Sequence, residues 1–189
     1  FRVEAKLAPT GTGFDDFLEA VERAVGRLYP HVRIDIDGDK AALVHVERQD
    51  LDEMLGNLVE NAAKYGSGRV FVTVEKSAPF VDILVEDDGP GIPEEDLLRL
   101  FDRFYRADTS RTRTSGGAGL GLAIVRAIVT AQRAELFTRG KRLDTTGKPG
   151  TGLGLAIVRD VAEIYGGKVS LEESEDLGGL LARLSLPSG

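Results

Sequence analysis

Met54-Leu55-Gly56-Asn57-Leu58-Val59-Glu60-Asn61-Ala62-Ala63-Lys64-Tyr65 reads as a helix with two unlike faces. Extended back to about residue 50, it carries Leu51, Met54, Leu55, Leu58, Val59 and Ala62 on one apolar stripe. Asp50 followed by Glu53 fits a capping box at its start. At about 100° per residue, Asn57, Asn61 and Lys64 fall within roughly 60° of one another, away from that stripe. Two amides and an ammonium so arranged can hold a hydrated cation and phosphate oxygens. An amide oxygen suits Mg²⁺, which keeps several waters and takes few protein ligands. A plain solvated face has the same composition, so the stripe needs support from elsewhere in the chain.

Outward from this helix the pattern is regular. Upstream, Phe14, Phe17, Leu18, Val21, Ala24, Val25 and Leu28 recur at helical spacing, and Pro30 closes that helix. Val32-Arg33-Ile34-Asp35-Ile36 alternates and meets Asp37-Gly38, a strand and a turn, and 42–46 is a shorter strand candidate. Downstream, 70–74 and 81–85 form a hairpin, and 168–172 with 180–186 form a terminal one. The order predicts a two-layer α/β sandwich: a mixed sheet of about five strands with helices on one face. The second strand of the first hairpin runs into Glu86-Asp87-Asp88-Gly89-Pro90-Gly91-Ile92-Pro93. A carboxylate at a strand end, followed by Gly-x-Gly, lets backbone approach a flat ligand and Asp87 accept from an exocyclic amine. A tight turn with solvated acids fits equally well. Neither a Walker A motif nor a dinucleotide fingerprint is present.

Composition bounds the function. The 189 residues make one domain, and 31 acidic against 24 basic residues give a net charge of −7, which excludes general nucleic-acid or anionic-membrane binding. The absence of cysteine removes disulfides, thiolate metal sites and cysteine nucleophiles, and fits a reducing compartment. The only histidines are His31, at a strand start after Pro30, and His45, in Val-His-Val; both read as structural. No apolar run approaches the roughly 20 residues that span a bilayer. The opening Phe1-Arg2-Val3-Glu4 has neither an initiating methionine nor a signal-peptide pattern, and is expected to be an internal start in a longer protein.

The second half holds an internal repeat. Gly117-Ala118-Gly119-Leu120-Gly121-Leu122-Ala123-Ile124-Val125-Arg126 returns as Gly150-Thr151-Gly152-Leu153-Gly154-Leu155-Ala156-Ile157-Val158-Arg159, with one position changed. Leu100-Phe101 likewise matches Leu136-Phe137, and Arg106 and Arg142 lie five residues beyond each Phe. The copy at 97–132 has six Arg and two Asp, a basic island in an acidic chain. Each glycine motif opens an apolar helix, and free amides at a helix N-terminus bind phosphate.

Taken in order, Asn-x-x-x-Asn-Ala, Asp-x-Gly-x-Gly, a Phe-containing segment and Gly-x-Gly-x-Gly resemble the N, G1, F and G2 boxes of the histidine-kinase ATP-binding domain. This is the Bergerat fold shared with gyrase, the ninety-kilodalton chaperone and MutL. The resemblance covers about 14–187 and is strongest to PhoQ-type sensor kinases, in 54–65 and 85–93. It implies ATP and Mg²⁺ as ligands. Asn61, with Asn57, would ligate the metal and Lys64 would touch phosphate. Tyr65 would lie near the nucleoside, and Asp87 would accept from the adenine amino group between Gly89 and Gly91. Arg142, Lys148 and the glycine-motif residues Gly150, Gly152, Leu153 and Gly154 would close on the phosphates.

The resemblance also implies partners: a histidine-containing dimerisation domain of the same kinase, absent from this chain, and a response regulator. It places the domain in the cytoplasmic portion of a membrane-bound sensor, without direct membrane contact. In gyrase-like hydrolases the position of Asn57 is a general-base glutamate, so asparagine favours phosphoryl donation over a hydrolysing ATPase. A further alternative is a nucleotide-incompetent binding module, blocked by its doubled lid. One sheet accepts one glycine-motif helix, so 155–165, tethered by Gly166-Gly167 to the terminal hairpin, is expected on the sheet. The segment 97–132 is then a displaced insertion, whose removal leaves 153 of the 189 residues with Asp96 joined to Arg133.

Overall fold

The computed structural model describes residues 11–39, 41–102 and 154–189. Alternation of apolar and polar residues produces five of its strands: β2 (Arg33–Gly38), β4 (Arg69–Ser77), β5 (Phe80–Asp87), β6 (Lys168–Glu173) and β7 (Leu180–Pro187). They join as one sheet in the order β2-β4-β5-β7-β6. Only β2 and β4 run parallel, with Ile34 opposite Val70 and Ile36 opposite Val72. The other neighbours are antiparallel, so the sheet is mixed, as expected. A short β1 (Thr12–Gly13) pairs with β3 (Leu43–Val44) in a separate two-stranded ribbon. The strand expected over 42–46 is thus only two residues long and lies outside the main sheet. Thr12 secures the ribbon by donating its hydroxyl to the Val46 carbonyl at 2.6 Å.

Three longer helices cover one face: α1 (Asp15–Leu28), α2 (Arg48–Tyr65) and α4 (Gly154–Ile164). Between β5 and α4 lie the single turn α3 (Glu94–Leu97) and a 3-10 turn (Leu98–Phe101). The inward residues Val70, Val72, Val74, Val81, Ile83 and Val85 meet Leu51, Met54, Leu55, Leu58 and Val59 of α2, all buried. Each such side chain contributes about 1.5–3 kcal/mol on leaving water, before conformational entropy is deducted. The opposite face carries Arg33, Asp35, Asp82 and Arg183, joined in partly solvated ion pairs worth little individually.

Two expectations are corrected. The helix α2 starts at Arg48, with Glu47 at its N-cap and no side-chain capping bond. Asp50 is therefore not half of a capping box: it lies in the first turn and accepts the hydroxyl of Tyr165 at 2.5 Å. The segment 97–132 also does not begin as displaced chain, for Phe101 is 8% exposed in the core and Leu97 and Leu100 pack against it. The remainder of that segment, with its glycine-motif helix, lies outside the described residues. The helix of the second copy is α4, and it packs along α2 with Ala156, Val158, Val161 and Ala162 buried. Phe101 of the first copy meets this helix of the second, with the Arg159 guanidinium 5.8 Å from its ring centre.

The helices α2 and α4 are antiparallel, because Tyr165 beyond the end of α4 bonds to Asp50 near the start of α2. Burial, then the bond to Asp50, pushes the Tyr165 hydroxyl far above its ordinary range, so it stays protonated and donating. Tyr165→Phe is expected to lose about 1–2 kcal/mol, read as a lower thermal midpoint. An unchanged midpoint would remove the bond from the helix pairing.

Candidate functional site

Four element ends converge on the helix-covered side of the sheet: the C-terminal half of α2, the N-terminus of α4, the end of β5 and the start of β7. Antiparallel pairing of the two helices carries Gly154 to the middle of α2. A β-carbon on Gly154 would sit 3.1 Å from Asn57 Oδ1 and 3.6 Å from Asn61 Nδ2. The asparagine stripe therefore faces the first described turn of α4, at the end of the helix where the macrodipole is positive. Asn57 is 5% exposed, which sets aside the alternative of a plain solvated face at this position: it lies where α4 begins. Its Nδ2 donates to the Glu53 carbonyl at 2.8 Å, fixing the amide with Oδ1 toward Gly154. Asn61 is half-buried, and Lys64 is exposed with its ammonium 5.2 Å from the Tyr65 ring centre.

Eight residues of helix, about 12 Å, separate Asn57 from Tyr65. At the Tyr65 end the helix meets the strand carrying Asp87. This carboxylate is 5% exposed. Its Oδ1 accepts the Gly89 N–H at 2.9 Å and the Leu180 N–H at 3.3 Å. Both bonds land on Oδ1, so Oδ2 is the oxygen free of these backbone donors. Burial pushes the Asp87 carboxyl above its usual range, the bonds from Gly89 and Leu180 pull it partly back, and the neighbouring Asp88 charge raises it again.

Asp88 is tuned the opposite way. Its Oδ1 takes the N–H groups of Ser67, Gly68 and Arg69 at 2.8–3.0 Å, tying the turn after α2 to the end of β5. Slight burial opposes ionisation, but the backbone donors prevail and hold this carboxyl below its usual range. One acid of the pair thus braces the fold through three backbone donors, while the other spends only one oxygen on backbone.

The backbone packs so closely here that three positions admit only glycine, Gly66 among them, where a β-carbon would lie 2.6 Å from the Ala62 carbonyl oxygen. A β-carbon on Gly89 would lie 2.7 Å from the Tyr65 carbonyl oxygen and 2.8 Å from Asp87 Oδ1. One on Gly179 would lie 2.5 Å from Asp87 Oδ1 and collide with the Asp87 backbone. Gly91 has no such crowding and is needed instead for its left-handed φ of 71°. Gly179 and Leu180 are the residues that sequence reasoning missed as part of the site. Their signal, Gly178-Gly179, reads as an ordinary hairpin turn. The expected lid residues Arg142, Lys148, Gly150, Gly152 and Leu153 lie outside the described residues.

The family described as "Histidine kinase-, DNA gyrase B-, and HSP90-like ATPase" matches residues 46–136, a span that holds α2, the Asp87 turn and the first glycine motif. Among relatives, the signal transduction histidine-protein kinase AfsQ2 of Streptomyces coelicolor is 44% identical over 91 residues, 48% of this chain and 17% of that protein. The chain carries a histidine-kinase-type ATPase domain. The chain spans well under a third of the length of the curated relatives that head the comparison. The same fold recurs in the mycobacterial sensor histidine kinase MprB, with a TM-score of 0.69 at 21% identity, covering 95% of this chain and 98% of that one. It recurs also in full-length ShkA in complex with AMPPNP, with a TM-score of 0.65 at 21% identity, covering 99% of this chain and 32% of that one.

Gly179→Ala in this ATPase domain is expected to cost about 2–4 kcal/mol, as overpacking against backbone that cannot retreat. Gly178→Ala, strained by a φ of 76° but facing open space, is expected to cost about 1–2 kcal/mol. Chemical denaturation of the two variants checks the order. Equal losses would show that Asp87 does not crowd Gly179.

Proposed function

We propose that the chain is the nucleotide-binding catalytic part of a sensor histidine kinase. In this reading it binds Mg²⁺-ATP and donates the γ-phosphoryl group to a histidine on a separate dimerisation domain. The observation that carries the reading is the buried Asp87, held through one oxygen by backbone beside the Tyr65 end of α2, with Asn57 and Asn61 farther back along the same helix where α4 begins. A nucleotide is polar at both ends, and this groove offers a different recognition chemistry at each. The adenine amino group donates to Asp87 Oδ2, with Gly89 beside the ring and Tyr65 near the nucleoside. The phosphates take the amides of the α4 N-terminus and the Lys64 ammonium. The lid residues Arg142, Lys148, Gly150, Gly152 and Leu153 close over them in this proposal.

The metal fits the same end. Among the described residues no group of three or more His, Asp or Glu side chains could hold an ion by itself. Two amide oxygens fit an ion that keeps water and phosphate as its other ligands, which is the habit of Mg²⁺ and not of Ca²⁺ or Zn²⁺. Asn61 and Asn57 would hold it, and it would neutralise charge on the phosphate oxygens. Asn57 cannot take a proton from water, so the site positions a phosphate and leaves its activation to the acceptor histidine's own surroundings. We also place the domain, by this reading, in the cytoplasmic portion of a membrane sensor that signals to a response regulator. Among the described residues no helix is long and apolar enough to cross a membrane.

Three outcomes are expected. The chain alone does not label with γ-phosphate, but labels the histidine of a matched dimerisation domain supplied in trans. Asn61→Ala removes the Mg²⁺ dependence of nucleotide binding and spares adenosine binding. Label on His31 or His45 would contradict the reading, and so would loss of adenosine binding in Asn61→Ala.

Asp87 must be ionised to accept from the amine, and its pKa lies above the usual carboxylate range. Adenosine affinity should therefore fall, as pH is lowered, before an exposed aspartate would titrate. Burial favours the protonated acid, so the contribution of Asp87 to stability declines as pH rises through its raised pKa. Asp87→Asn accordingly keeps or gains thermal stability. It loses roughly 10- to 100-fold in adenosine affinity, because an amide NH₂ replaces Oδ2 opposite the amine. Calorimetry at several pH values checks both; affinity that is flat through the acid range contradicts them.

A further inference from the structure

Behind Asp87, Ser174 anchors the turn that carries Gly179 and Leu180. It is 1% exposed, at the start of the turn joining β6 to β7. Its hydroxyl donates to Glu86 Oε2 at 2.6 Å and accepts the Leu177 N–H at 3.0 Å. Its backbone N–H donates to the Gly179 carbonyl at 2.8 Å, and its carbonyl accepts the Gly178 N–H at 2.9 Å. One side chain thus fixes the whole turn, both internally and against β5.

Glu86 and Asp87 are successive residues of a strand, so their side chains leave opposite faces of the sheet. Glu86 lines a groove of about 420 Å³ on the helix-free face, with Leu84, Asp176 and Leu177 among its neighbours. Asp87 points to the nucleotide side. The Ser174–Glu86 bond holds the turn from one face, and the same turn presses Gly179 on the Asp87 backbone and aims the Leu180 N–H at Asp87 Oδ1 from the other. At 3.3 Å, that last bond is the longest in the set and the most sensitive to a shift of the turn.

We propose that Ser174 and Glu86 are positioning residues for base recognition: through the turn they hold the angle at which the Asp87 carboxylate presents its second oxygen, and so sharpen the preference for a 6-aminopurine over a 6-oxopurine. This rests on the assignment of Asp87 to the adenine amine. If the Leu180 N–H withdraws, Oδ1 is held by the Gly89 N–H alone, the carboxylate gains freedom to swing about that one bond, and Oδ2 is fixed less tightly as the acceptor facing the ligand. A 6-oxopurine nucleotide, which presents an acceptor there, is then penalised less. Neither residue touches the nucleotide, so the effect falls on discrimination more than on phosphate binding.

The test is a calorimetric comparison of ATP and inosine triphosphate, each with Mg²⁺, on the full chain and on Ser174→Ala, Glu86→Ala, Glu86→Gln and Asp87→Asn. Ser174→Ala and Glu86→Ala are expected to lower the ATP-to-inosine-triphosphate affinity ratio by about 5- to 20-fold, on the order of 1–2 kcal/mol. Glu86→Gln keeps an amide oxygen for the Ser174 hydroxyl and should hold the ratio within about twofold of the parent. A ratio unchanged in Glu86→Ala, while Asp87→Asn abolishes it, overturns the proposal and leaves the Asp87 assignment standing. A ratio that Asp87→Asn leaves intact overturns both. Should Ser174→Ala fail to fold, the half-buried Glu86 decides through its own pair of variants.

Discussion

A carboxylate buried at the end of a strand constrains everything around it. Asp87 is almost wholly removed from water, and a carboxylate so placed ionises at a cost of several kcal/mol unless donors replace the solvent. Two backbone N–H groups do so, from Gly89 and Leu180. Their positions require glycine at 89 and 179, since a side chain at either would meet Asp87. They also require the register of β5 on β7, which sets Glu86 opposite Leu181 and so brings the start of β7 beside Asp87. The hydrophobic sheet below is the platform for that one group, and the raised pKa is the residual cost.

The duplicated segment is used unevenly. Phe101, from the first copy, is buried; the helix beside it, α4, comes from the second. The family match extends over 46–136 and so takes in the first glycine motif. The physical reason for the packing is tethering. The helix α4 is joined through Tyr165, Gly166 and Gly167 to β6, and Tyr165 is bonded to Asp50. That connection leaves it little choice but to lie along α2.

Much of the fold was legible because its signals are local. Alternation in 70–74 and 81–85, and the apolar stripe of α2, require no partner to be recognised, and they yielded the sheet and its helical cover. The parallel pairing of β2 with β4 was not legible, because a crossover through α2 sets it and no residue in either strand records it. Nor was the β1–β3 ribbon, whose strands are two residues each.

In the site, Asn57, Asn61, Tyr65, Asp87 and Gly89 were named from the helix stripe, the strand-end acid and motif order; Asn57 and Asn61 lie where α4 begins, and Gly89 packs between the Tyr65 carbonyl and Asp87. The burial of Asn57 escaped, since the helix end that covers it begins nearly a hundred residues later. Gly179 and Ser174 escaped for the same reason: their partners are Asp87 and Glu86, remote in sequence, while their local pattern is that of a plain turn. Asp50 was misassigned because a capping box and a long-range acceptor share the same residue types.

The central claim is that one nucleotide binds along α2, base at Asp87 and phosphates at the start of α4. Calorimetric titration of the intact chain with a non-hydrolysable ATP analogue, with and without Mg²⁺, tests it most directly. One analogue per chain, bound more tightly with Mg²⁺ than without, is the expected result. No binding under either condition, or binding indifferent to the metal, would contradict the account.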